Sequence, residues 1–169
     1  VINSCAVTAD AEKKVAYEIR KAKRINPENK IIVTGCAAQI NPKKYHAIEE
    51  VDLVLGNKEK LLSEVWNNLS FSESIQVDDI LLEKKTVPNT IEKFDGKSRA
   101  YIEIQQGCDH RCAFCIIPYG RGNNRSVPAG EVVERIKKIV KNGYKEVVLT
   151  GVDITDYGKD LPAQPTFSN

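Results

Sequence analysis

The sequence has no methionine, one tryptophan and only two histidines among 169 residues, and no long apolar run. Its hydrophobic residues come in short runs broken by charge, well below the roughly 18 consecutive apolar residues that a membrane span needs. A transmembrane helix is excluded. The opening Val1-Ile2-Asn3-Ser4-Cys5-Ala6-Val7 has neither the basic lead nor the apolar core of a secretory signal, so export has no support. With no initiating methionine and with first residues that already read as a strand, the expectation is that the chain is a fragment and that it works in the cytoplasm. Strong charge of one sign is also missing. Twenty-five basic residues face 23 acidic ones, a net charge of +2, which neither requires nor excludes a nucleic acid. The five cysteines are an odd number in a chain without an export signal, which argues against a disulfide framework and for metal binding or catalysis.

What is present is an ordinary globular composition, 41% hydrophobic and 28% charged, arranged as alternating strand-like and helix-like segments. Thr8 predicts the N-cap of a helix over Ala9 to Ile25, with Val15, Ile19 and Ala22 at helical spacing. Lys30 to Thr34 is a β-branched run ending at Gly35-Cys36. Asn41-Pro42 opens a helix with a capping residue followed by proline. Asp52 to Gly56 reads as another strand, and Asn57 as the cap of a helix through Leu61, Leu62, Val65, Trp66 and Leu69. Such alternation implies a Rossmann-like parallel sheet flanked by helices over residues 1–69. Residues 70–98, polar and containing Pro88, predict a linker with one short strand. From Arg99 the rhythm resumes: a strand at Ala100 to Ile104, a cysteine-rich loop, a helix from Ala129 to Asn142 and a strand at Glu146 to Thr150. The helix places Val132, Val133, Ile136, Ile139 and Val140 on one face, with Gly143 as its stop. Leu161 to Asn169 has no period and reads as a frayed end.

Cys108, Cys112 and Cys115 form C-x3-C-x2-C in the loop that follows a strand. Three soft thiolates so close together select zinc or an iron–sulfur cluster. Structural zinc wants four protein ligands, and the only nearby fourth candidate is His110. A 4Fe–4S cluster with three thiolates leaves one iron open to a small molecule, the arrangement needed for cofactor chemistry at the metal.

The motif, with Phe114 at its aromatic position, resembles the radical S-adenosylmethionine superfamily. That resemblance implies that the open iron holds S-adenosylmethionine and that one electron cleaves it to a 5′-deoxyadenosyl radical. A closer resemblance covers almost the whole chain. Val1 to Thr8, Val33 to Gln39, Val51-Asp52 with Gly56-Asn57, Ile104 to Cys108, Cys115 to Tyr119 with Arg121-Gly122, and Val148 to Val152 are similar to the methylthiotransferase family. Ala6-Val7-Thr8 and the Leu149-Thr150-Gly151-Val152 block look most like the branch acting on threonylcarbamoyladenosine in tRNA. The branches acting on isopentenyl-adenosine or on an aspartate of a ribosomal protein differ at both places.

The resemblance implies an α/β fold in two parts: the truncated N-terminal domain at 1–69, then the first βα units of a partial (β/α) barrel at 99–169. It implies two 4Fe–4S clusters, one on Cys108, Cys112 and Cys115 and an auxiliary one on Cys5, Cys36 and a third cysteine outside this sequence. It places Phe114, Gly151 and Val152 at the S-adenosylmethionine site, and leaves residues acting directly on the substrate unassigned. The implied reaction inserts a methylthio group at C2 of the modified adenosine 37 in the tRNA anticodon loop, whose unpaired bases can be splayed out to an enzyme. An electron donor such as flavodoxin or ferredoxin is implied as a second partner, with no membrane. The alternative of another class is a non-catalytic zinc module that binds RNA or protein through the same loop. Arg111, Arg121 and Arg125 make the loop positive and suit phosphate or carboxylate. Tyr101 and Tyr144 read as packing residues, and Lys137, Lys138 and Lys141 as a solvated helix face.

Overall fold

The computed structural model describes residues 1–86 and 98–168, which form two compact units. Residues 87–97 of the expected linker, Pro88 among them, and Asn169 lie outside the described residues.

The first unit comprises Val1–Glu83 and His110–Gly122. Its strands β1 (Ile2–Ser4), β2 (Ile32–Gly35), β3 (Leu53–Leu55) and β4 (Ile75–Gln76) are all parallel and lie in that order. Because successive strand residues point to opposite faces, Val33 and Val54 pack on one side, with Val15, Ile19 and Tyr45, while Ile32, Leu53 and Leu55 pack on the other, with Val65 and Leu69. Both faces are covered, as a parallel sheet requires, and each fully buried aliphatic chain contributes roughly 1.5–3 kcal/mol.

The helices are α1 (Ala9–Ile25), α2 (Cys36–Ile40), α3 (Pro42–His46), α4 (Ser63–Asn67) and α5 (Ile117–Arg121). Thr8 Oγ1 accepts from Ala11 N at 3.2 Å and Asn41 Oδ1 from Lys44 N at 3.2 Å, so both expected caps form. The single helix expected after Asn57 does not. A 3-10 turn, Glu59–Leu61, is followed by an extended Leu62 before α4 begins, because Trp66 Nε1 donates to Lys60 O at 2.8 Å and takes the carbonyl that a continuous helix would use. At the opposite end of the sheet, Asp52 accepts from Lys30 Nζ and Ile31 N, each at 2.8 Å. Burial pushes its carboxyl up, but these bonds and the charges of Lys23 and Lys30 outweigh that and hold it below the usual carboxylate value.

The second unit comprises Lys84–Asp109 and Asn123–Asn169. A central β5 (Arg99–Gln106) pairs antiparallel with β6 (Arg125–Ser126) and parallel with β7 (Glu146–Gly151). The α6 helix (Ala129–Lys141) follows β6. Ala100, Ile102 and Ile104 alternate inward to meet Val132 and Ile139. Tyr144 is buried as expected, but Tyr101 is not a packing residue: it takes the outward position on β5 and is 55% exposed. The apolar face of α6 is also narrower than expected. Val132, Ile136 and Ile139 face the core at 4 and 3 residue steps, leaving Val133 and Val140 turned about 100° away and exposed. Gly143 ends the helix at φ +92°, a left-handed conformation that favours glycine.

Candidate functional site

In the first unit, register places Ser4 opposite Gly35, so Cys5 and Cys36 follow the C-terminal ends of adjacent parallel strands, at the same end of the sheet. Cys5 is exposed and Cys36 half-buried. Cys36 opens α2 directly after Gly35, whose φ of +100° and close fit against Ser4 suit only glycine. Ser4 Oγ donates to Thr34 O at 2.6 Å and accepts from Ala38 N at 3.0 Å, bracketing the turn.

Two donors face the Cys36 sulfur. Arg121 Nε lies 3.0 Å away and Asn57 Nδ2 3.7 Å away. The buried Asn57 also donates to Gly120 O at 2.6 Å and accepts from Lys60 Nζ at 2.6 Å, and its own N–H donates to Gln39 Oε1 at 2.8 Å. A side chain at Gly120 would put its Cβ 2.9 Å from Cys36 Cβ, so α5 approaches α2 this closely only with glycine there.

The loop after β5 carries the other three cysteines. Cys112 and Cys115 belong to the first unit, joined by a turn in which Cys115 N donates to Cys112 O at 2.9 Å. Cys112 is exposed and Cys115 half-buried. Phe114 between them is 93% exposed and so serves no core.

Cys108 belongs to the second unit, half-buried, with its sulfur 3.9 Å from Asp153 Oδ2. Its position is set by Gln105, which is fully buried. Gln105 Nε2 donates to Gly107 O at 2.7 Å and Asn124 Oδ1 at 2.6 Å, while Oε1 accepts from Asp153 N at 2.8 Å. One amide thereby ties the cysteine loop to the segment after β7. Gly151 is required beside it, since an added Cβ would stand 2.8 Å from Gln105 Oε1, and Val152 follows, 38% exposed. Asn124 extends the network, its N–H bonding Asp109 Oδ1 at 2.9 Å and its amide nitrogen Asp160 Oδ1 at 3.2 Å.

Of the loop arginines, Arg121 meets Cys36, Arg125 is buried with Nη2 3.1 Å from Gln106 Oε1, and Arg111 is exposed. Sequence reasoning missed Asn57, Gly120, Gln105 and Asn124 as holders of the cysteine segments. Asn57 and Gln105 stood within the family-like blocks and Gly120 between two of them, but an uncharged side chain or a glycine carries no chemical signal until its neighbours are known.

The donor chemistry fits thiolate-bound iron–sulfur centres. None of the five cysteines is in a disulfide; two lie at adjacent strand ends and three in one irregular loop, and N–H groups face a sulfur as they do in such sites.

Comparison with known proteins agrees with the motifs. Residues 1–56 match the uncharacterized protein family UPF0004 and residues 102–163 the Radical SAM superfamily. The chain is 55% identical to the threonylcarbamoyladenosine tRNA methylthiotransferase MtaB of Rickettsia prowazekii, over 99% of this chain and 39% of that protein. It is 40% identical to the protein of the same name from Bacillus subtilis, over 95% of this chain and 36% of that one. It is 34% identical to the tRNA-2-methylthio-N(6)-dimethylallyladenosine synthase of Desulfotalea psychrophila, over 100% of this chain and 41% of that protein. The chain thus spans about two fifths of the length of these relatives. No helix of the described residues is long and apolar enough to cross a membrane.

Proposed function

We propose, from the premise that this chain belongs to the radical SAM methylthiotransferase family, that it supplies the cysteine-bearing part of an enzyme placing a methylthio group at C2 of N6-threonylcarbamoyladenosine 37 in tRNA. The observation that carries this reading is the 55% identity over 99% of the chain to a threonylcarbamoyladenosine tRNA methylthiotransferase. The lower identity, 34%, to a dimethylallyladenosine synthase favours this substrate over the isopentenyl branch.

In this reading Cys108, Cys112 and Cys115 hold one 4Fe–4S cluster, Cys5 and Cys36 supply thiolates to an auxiliary one, and Phe114, Gly151 and Val152 lie against S-adenosylmethionine. The clusters and that cofactor, when bound, supply the radical and sulfur chemistry. The chain's own side chains position. Arg121 and Asn57 fix the Cys36 sulfur, and Gln105 fixes the root of the loop that begins at Cys108. As sequence segments, residues 1–69 form the N-terminal part and 99–169 the start of the radical SAM part, while the connection expected at 70–98 begins with a stretch whose strand Ile75–Gln76 pairs into the first unit's sheet. The partners are the tRNA anticodon loop and an electron donor such as flavodoxin or ferredoxin, in the cytoplasm.

Nucleoside mass analysis of tRNA from a strain lacking the gene tests the substrate: the methylthio form of threonylcarbamoyladenosine should disappear and return on complementation. Unchanged tRNA would refute the reading. Two readouts on variants of the full-length protein divide the cysteines. Cys112→Ala should abolish both 5′-deoxyadenosine release and methylthio product, whereas Cys36→Ala should abolish the product alone.

A further inference from the structure

The charge of this protein is unevenly placed. Helix α1 carries six cations, Lys13, Lys14, Arg20, Lys21, Lys23 and Arg24, against three carboxylates, Asp10, Glu12 and Glu18. That is a net +3 in 17 residues, so with +2 for the whole chain the remainder sums to −1. The distribution within the helix is uneven too. Val15 and Ile19 are buried on the sheet side, while Lys13, Tyr17, Arg20 and Arg24, spaced by 4, 3 and 4 residues, form one stripe on the outside. With Lys23 they line an open cleft of about 650 Å³ in which Glu50 is the only carboxylate. Tyr17, in the middle of the stripe, is 55% exposed.

Neighbouring acids do not account for these cations. Lys13 pairs with Asp10 and Lys23 with Asp52, at 3.8 and 3.5 Å, but Arg20 and Arg24 make no ion pair among the described residues. The helix macrodipole favours cations in the last turn, which covers Lys23 and Arg24 but not Lys13 and Arg20 higher on the same face.

We propose that this outer stripe of α1 is a docking surface for the phosphate backbone of the tRNA, separate from the cysteine sites. The identification of RNA rests on the function proposed above; the surface itself rests on the charge and geometry. From Lys13 to Arg24 the stripe is about 16 Å long at 1.5 Å per residue, enough for several successive phosphates. Arginine's planar fork matches phosphate oxygens, and a tyrosine between a lysine and an arginine offers a ring face to an unpaired base or a ribose. An acidic peptide would use the charges and leave the ring without a role.

The test is binding of the full-length protein to an unmodified tRNA transcript over a range of salt concentrations. Replacing Arg20 and Arg24 together by Gln keeps good helix formers on an exposed face, and circular dichroism verifies that the fold is kept. The double variant should bind roughly tenfold more weakly at low salt, with a slope of log affinity against log salt shallower by about 1–2, because fewer counterions are released. Tyr17→Ala should weaken binding without changing that slope. An unchanged slope in the double variant, or a wild-type chain that polyglutamate captures as well as tRNA does, would overturn the proposal. If the tRNA of the deletion strain is unaltered while the slope still changes, the enzymatic reading fails and the surface stands. If the methylthio nucleoside is lost while the slope is unchanged, only the surface fails.

Discussion

In the first unit the strand leading to Cys36 ends on backbone geometry: Gly35 at φ +100° against Ser4, then a helix that begins on the cysteine itself. In the second, the strand leading to Cys108 ends on a side chain, the buried amide of Gln105, which holds three segments through hydrogen bonds. Both strand ends are tight in shape, at Gly35 in the first unit and at Gly151 in the second. The second depends in addition on each polar atom of one buried amide meeting its partner. The units differ in their buried phenols in the same sense. Tyr157 OH donates to Val127 O at 2.7 Å, whereas the Tyr45 hydroxyl is buried without a partner among the described residues. Burial, followed by the charges of Glu12 and Cys5, pushes that Tyr45 hydroxyl up to about 12, so it stays protonated.

The comparison is broken most severely at Gly35. Gly35→Ala would set a Cβ 2.2 Å from Ser4 O and force a non-glycine residue into a glycine-only conformation, so a loss of roughly 3–5 kcal/mol is expected in denaturant unfolding. A variant as stable as the parent would mean that shape does not govern this strand end. Next comes Gln105→Glu, which keeps the volume but turns a donor into an acceptor facing Gly107 O and Asn124 Oδ1. It should cost roughly 2–3 kcal/mol, with the loop at Cys108 losing hydrogen-exchange protection first. The smallest and sharpest test is a matched pair: Tyr157→Phe should destabilise by about 1 kcal/mol, while Tyr45→Phe should be neutral or stabilising. Equal losses in both would remove the distinction between the units.

The sequence makes the regular parts of each unit legible for local reasons. Thr8, Asn41-Pro42 and Gly143 are punctuation that acts within a few residues, and Val15 with Ile19 reports burial through period alone. The C-x3-C-x2-C motif is legible because its donors are close in the chain. What stays hidden depends on distance. The break at Leu62 comes from an indole reaching back to Lys60 O, and the exposure of Val133 and Val140 comes from how much of α6 the sheet covers. The Cys36 environment was the least legible, since its donors come from residues 57 and 121.

That last separation bears on how the protein is made. Asn57 reaches Gly120 across 63 residues and Cys36 reaches Arg121 across 85. The sheet of the first unit is complete in sequence by Gln76, yet α5 is added only by residues 117–121. On a ribosome adding roughly 5–20 residues per second, the Cys36 thiol waits several seconds for the segment that covers it. During that interval the nascent chain presents an unguarded sulfur at the C-terminal end of a central strand of an otherwise finished sheet, and the arrival of residues 117–121 closes that window.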